Sequence, residues 1–144
     1  MTALIFVTAL SGAFVAGLDA GFIYNTFPLM DGALVPGGLF ELNPGYRNFF
    51  ENIITVQFDH RILAITTFAA VMVFWWLVRG AGLAQGPRTA ANVLAAVAVA
   101  QVALGISTLL LVVPVTLAAL HQAGAVFLFL GAVWLAHELG PGGA

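Results

Sequence analysis

The chain has 144 residues, 62% of them hydrophobic and only 7% charged, with a mean hydropathy of +1.07. Soluble domains carry about 25% charged residues, so this surface cannot be covered by water-seeking groups, and its solvent is mostly lipid. The absence of cysteine excludes disulfides, iron–sulfur clusters and thiolate zinc sites within the chain, and a net charge of −2 without any lysine leaves no basic patch for nucleic acid.

A membrane-crossing helix needs about 20 mostly apolar residues. Four segments qualify, which predicts an all-α integral membrane protein: a single domain over 1–144, built as a four-transmembrane-helix bundle. The first span covers about 2–22. It has neither a basic n-region nor an A-x-A cleavage site, so it reads as a retained helix and not a signal peptide. Its Gly17-Leu18-Asp19-Ala20-Gly21 is a small-xxx-small pattern that permits close helix contact. A long outer loop, about 23–57, follows and is rich in turn formers such as Asp31-Gly32, Pro36-Gly37-Gly38 and Asn43-Pro44-Gly45. Within it Asn43 is placed to cap a short helix with Pro44 at its first position, and the aromatic and charged run from Tyr46 to Ile54 suits a segment lying along the membrane interface.

The second span, about 58–78, ends in Trp75 and Trp76 as interfacial anchors. A Gly-rich turn from Arg79 to Arg88 leads to the third span, about 89–113, which Pro114 ends or bends. The fourth, about 115–136, is closed by His137-Glu138 and a Gly/Pro tail. Arg79 and Arg88 flank the turn between spans two and three, whereas the connection between spans three and four has no charge. The positive-inside rule then predicts a cytoplasmic arginine turn, cytoplasmic termini and an outward loop, with Arg47 and Arg61 in that loop region counting against it.

Two histidines carry the functional signal. A histidine inside a membrane helix is costly and needs a partner or a role. His60 and His121 each lie a few residues inside the outer start of a span, the second and the fourth, at matching depth. Two such residues on diagonal or neighbouring helices can clamp one macrocycle, and haem iron is the natural centre. Small residues one turn on, Ala64 beside His60 and Gly124 and Ala125 beside His121, would leave room for the ring, with Thr67 next and Phe68, Phe127 and Leu128 as apolar walls. Arg61, at the aqueous edge, is placed to pair with a propionate.

Each of these residues also has a plainer reading. The histidines can serve as hydrogen-bond donors between helices, which would make the chain a haem-free scaffold. His137 reads as interfacial. Asp19 reads as a solvated helix terminus or a partner for Arg61, with a catalytic role as the alternative. Asn92, Gln101 and Gln122 read as interhelical glue, and the glycines as packing sites. No phosphate loop, nucleophile elbow or zinc-protease motif is present.

Several stretches resemble haem A synthase of the mitochondrial and alphaproteobacterial type. They are Gly17-Leu18-Asp19-Ala20-Gly21-Phe22-Ile23-Tyr24-Asn25-Thr26-Phe27-Pro28, Val56-Gln57-Phe58-Asp59-His60-Arg61, Gln101-Val102-Ala103-Leu104-Gly105-Ile106-Ser107-Thr108-Leu109 and His121-Gln122-Ala123-Gly124. The likeness runs through essentially the whole chain, in order. It implies a protein of the bacterial cytoplasmic (inner) or inner mitochondrial membrane, built from two similar four-helix bundles, each with a histidine pair near the outer side. The implied reaction oxidises the methyl group of haem O to the formyl group of haem A for cytochrome oxidase assembly. On this resemblance His60 and His121 match the pair of the C-terminal half, which holds a b-type haem, and the substrate haem reacts in the N-terminal half.

Only the C-terminal half is matched. The chain is then either a fragment or a half-length protein that pairs with a second copy, with a separate N-terminal half, or with a larger respiratory or assembly complex. The resemblance therefore implies an oxidoreductase whose activity needs a second bundle. The competing reading is a stand-alone b-type cytochrome or haem-carrying subunit, because an iron with two histidine ligands is six-coordinate and has no open position for substrate or oxygen.

Overall fold

The computed structural model describes residues 1–140 as an all-helical chain. Its helices are α1 (Thr2–Gly17), the short α2 (Asn48–Glu51), α3 (Ile53–Gly80), α4 (Gln85–Leu110) and α5 (Val115–Glu138), with single 3₁₀ turns at Ala20–Phe22 and Gly45–Arg47. Three of them, α3, α4 and α5, are long and apolar enough to cross a membrane.

The first segment falls short of its expected length. Helix α1 stops at Gly17, Asp19 turns into the left-handed region (φ 52°), and the chain continues as a 3₁₀ turn through Phe22. Sixteen residues rise about 24 Å, less than the ~30 Å of a hydrocarbon core. Aspartate is one of the few side chains that tolerate this backbone region, so the polar residue inside an otherwise apolar run ended the helix. Only one glycine of the small-xxx-small pattern makes a close approach: a methyl at Gly21 would lie 3.0 Å from Val113 Cγ2, while Gly17 faces open space.

Helix α3 starts at Ile53, five residues before the expected position. Asn52 is the cause. Its side-chain oxygen accepts from the amides of Ile54 (3.0 Å) and Thr55 (3.1 Å), satisfying two orphan donors of the first turn. Its amide donates to Gly38 O and to Asn48 Oδ1. Asn48, fully buried, bonds the backbone of Leu42 both ways and Gly45 O. Asn43 caps nothing: Pro44 itself precedes the Gly45–Arg47 turn, without a side-chain cap. The Tyr46–Ile54 run is a 3₁₀ turn, then α2, then the start of α3. Between α4 and α5, Val112 and Val113 both adopt positive φ (59° and 55°), and the Val113 amide closes on Thr108 O at 2.8 Å. β-Branched residues rarely hold this conformation. Pro114 then opens α5.

The long helices pack in the ring order α1, α3, α4, α5, so α1 contacts both α3 and α5 while α3 and α5 face each other diagonally. The buried core joins Ile5 at the start of α1, Val71 and Val78 late in α3, Ala90, Ala91, Leu94 and Ala98 early in α4, and Leu128, Ala132 and Leu135 late in α5. Helix starts therefore meet helix ends, as an up-down bundle requires. Alanines on α4 let the backbones approach closely. This core fills one end of the bundle only, the end of the arginine turn. His60 and His121 lie at the other.

Candidate haem-ligand site

His60 lies seven residues into α3 and His121 six residues into α5, rises of about 10 Å and about 9 Å from the same end of the bundle. Their helices are the diagonal pair. Each ring rests on a glycine of the neighbouring helix. A methyl placed on Gly12 of α1 would come 3.1 Å from His60 Cε1, and one on Gly105 of α4 would come 2.8 Å from His121 Cε1. At Gly105 a methyl would force the ring to move, and at Gly12 the ring would have to give by a few tenths of an ångström.

Hydrogen bonding assigns the His60 tautomer. Ser11 donates its one hydroxyl proton to Thr8 O (2.7 Å) and lies 2.8 Å from His60 Nδ1. The Ser11 oxygen must therefore accept from Nδ1–H, which leaves Nε2 with its lone pair. Such a second partner orients and tunes a ligating histidine. One turn deeper, the hydroxyls of Thr8 and Thr67 meet at 2.7 Å and tie α1 to α3. His121 differs: its Nδ1 is buried with no partner. Its backbone carbonyl accepts from Gln101 Nε2 at 2.8 Å. The Gln101 Oε1 is buried, unpaired and in contact with the Gly124 surface. Gln101 thus takes the space expected beside Gly124, whereas Ala64 and Ala125 are half-buried one turn beyond their histidines.

Arg61 is engaged with the chain's own backbone. Its terminal nitrogens donate to Tyr24 O (2.7 Å), Thr26 O (2.8 Å) and Leu29 O (3.4 Å), and Nε is buried without a partner. Gln57 adds a bond to Tyr24 O. Asp19 is exposed and bonds none of the Arg61 nitrogens, so the expected Asp19–Arg61 pair is not formed. Arg61 holds the start of the 23–47 segment onto α3. Arg61→Gln should accordingly loosen the 23–47 segment: limited proteolysis should cut it at least severalfold faster than in the wild type, and an unchanged rate would show the clamp to be idle.

Among the described residues no cluster of three or more histidine, cysteine or carboxylate side chains surrounds a point that could hold a bare metal ion. Two imidazoles are the donor set of an iron that brings four ligands of its own, as a porphyrin does. The lone pair on His60 Nε2, the orphaned His121 Nδ1 and the two glycine beds are compatible with that group.

Residues 1–133 match the family model described as cytochrome oxidase assembly protein, COX15-CtaA. The chain belongs to this family. It is 55% identical to a haem A synthase of Nitrosospira multiformis over 96% of its own length and 39% of that protein's. Against the haem A synthase COX15 of Homo sapiens the figures are 54%, 94% and 33%. A haem A synthase of Nitrosomonas eutropha is 51% identical over the same shares as the first. The chain thus spans between a third and two-fifths of the relatives' length. No solved structure matches it. Its long apolar helices together with this membership make it a multi-pass membrane protein.

In this COX15-CtaA chain the stretches that carry the likeness converge at one end of the fold. Asn25 donates to Gly21 O (2.7 Å) and Leu109 O (3.0 Å), joining the first stretch to the third. Gln57 and Arg61 join the second to the first, and Gln101 and Gly105 join the third to His121. The contributions of Ser11, Gly12 and Gly105 were not read from the sequence. A serine-glycine pair within an apolar helix was the available signal for the first two.

Proposed function

We propose that this chain is the haem-carrying bundle of a haem A synthase, with His60 and His121 as the two axial ligands of a b-type haem. The observation that carries the reading is the pair itself: two histidines on diagonal membrane helices, at equal depth, each seated on a glycine of the adjacent helix. On this reading α1 completes a four-span bundle, Ala64 and Ala125 border the ring, and Ser11 holds the proton on His60 Nδ1. Gly124 admits the ring edge only if Gln101 swings away. Arg61 keeps its loop carbonyls and holds the loop beside the His60 end of the bundle. When bound, such a haem supplies a one-electron ferric/ferrous couple. The protein's own part is to hold both imidazoles neutral and oriented and to keep water from the cofactor.

The oxidation of the haem O methyl group to the formyl of haem A belongs, on this proposal, to a second bundle, supplied by a separate chain or a second copy, because an iron held by both His60 and His121 would keep no open position for substrate or oxygen. The membrane is a bacterial cytoplasmic one, with the arginine turn and both termini inside. The chain alone is then a b-type cytochrome.

Two measurements test this. The purified chain, expressed with ample haem, should give a low-spin b-type reduced-minus-oxidised spectrum, and a flat spectrum would sink the proposal. Haems extracted from cells making haem O with this chain alone should contain no haem A. Its appearance would show the bundle to be self-sufficient.

A further inference from the structure

We propose that the arginine end of the bundle, between α3 and α4, binds the phosphate headgroup of an anionic phospholipid. A hollow of about 300 Å³ opens there, lined by Trp75, Val78, Arg79, Arg88 and Asn92. It lies at the far end of the helices from the histidine pair. The Arg79 guanidinium sits 4.7 Å from the Trp75 ring centroid. Trp75 Nε1 donates to Asn92 Oδ1 at 2.8 Å, which fixes the amide's carbonyl on the indole and leaves its NH₂ as a donor. Two guanidinium groups and an amide donor thus face one cavity.

Among the described residues neither arginine is ion-paired. The ion pair found among the described residues is Arg47–Glu51, in the loop at the opposite end. The acid nearest in the fold, Glu138, accepts from Trp134 Nε1 (3.0 Å) and packs on Gly86 at the start of α4, and it forms no bridge to either arginine. Paired guanidinium forks suit a phosphate, which takes bidentate bonds from them. Basic hollows between membrane helices near the surface are suited to anionic headgroups.

The setting selects a lipid over dissolved phosphate. Trp75 and the largely exposed Trp76 (71%) mark the headgroup level. From the hollow, the Asn92 face of α4 continues through the exposed Ala96 and Val99 (51%) toward the bilayer centre and offers an apolar track for acyl chains. A free phosphate would use the cations and leave that track unused.

The test uses the full chain in detergent, with palmitoyl-oleoyl phosphatidylglycerol as probe, phosphatidylcholine as the zwitterionic comparison and inorganic phosphate as competitor, read by native mass spectrometry. Phosphatidylglycerol should be retained in preference to phosphatidylcholine. Arg79→Gln and Arg88→Gln should each weaken retention about fivefold and the double variant about 30-fold, from roughly one unit of surface attraction per arginine. Arg47→Gln should change nothing. The proposal is overturned by equal retention of both lipids, by displacement of phosphatidylglycerol with millimolar phosphate, by an unaffected double variant, or by an equal loss in Arg47→Gln. If the double variant does not fold, the wild-type lipid preference and Arg88→Gln alone decide. None of these outcomes depends on haem content.

Discussion

His60→Ala and His121→Ala should each remove the low-spin b-type signal. Losing an outer partner of a ligating histidine already costs about 10–100-fold in affinity, and losing the ligand itself should cost more, so haem content should fall by more than about tenfold. Ser11→Ala provides the graded comparison. It removes the oxygen 2.8 Å from His60 Nδ1 but leaves the imidazole in place, so haem should be retained about tenfold more weakly, with an altered midpoint potential. Helix content by circular dichroism separates ligand loss from unfolding. Added imidazole should restore a six-coordinate spectrum in His60→Ala, since truncation leaves a ring-sized space beside Gly12. Full low-spin signals in both alanine variants would remove these residues from the site.

Gly105→Ala should destabilise the bundle and displace His121. Its methyl would stand 2.8 Å from His121 Cε1, closer than real methyl contacts come, so the ring or the α4–α5 interface must move. Overpacking of this kind costs about 1–3 kcal/mol, and the better helix propensity of alanine returns about 1 kcal/mol. The expected net effect is a melting temperature lowered by several degrees, together with a displaced haem spectrum. Gly12→Ala, at 3.1 Å from His60 Cε1, should do the same more weakly. Gly17→Ala faces open space and should leave both readouts unchanged. Identical melts and spectra for Gly105→Ala and Gly17→Ala would show that the glycine beds do not position the histidines.

The contrast between these glycines shows where sequence reading ran out. Gly17 and Gly21 formed a recognisable small-xxx-small pattern, yet Gly17 contacts nothing and Gly21 meets Val113 from a different connection. Gly12 and Gly105 stood in no periodic pattern, and each turned out to lie under an imidazole. Spacing along one helix reports which residues share a face, and says nothing about which neighbour that face meets. Arg61 is a similar case. Its charge beside His60 suggested a propionate partner, and three loop carbonyls more than thirty residues away in sequence took its terminal nitrogens instead. The start of α3 was hidden by polar Gln57 and Asp59, although Asn52, the residue that caps it, was visible throughout.

By itself the sequence determined that the chain is helical and lies in lipid, because 62% apolar residues in long runs with 7% charge admit little else. It also placed His60 and His121 near the same end of their spans, and the start of α3 at Ile53 then brought them to equal depth. The tertiary structure decided what no single helix contains: the ring order that sets α3 and α5 diagonally, the glycine beneath each imidazole, the proton on His60 Nδ1, and the arginine pair facing one hollow between α3 and α4. Those are relations between residues far apart in the chain, and only the packing of one helix on another brings them together.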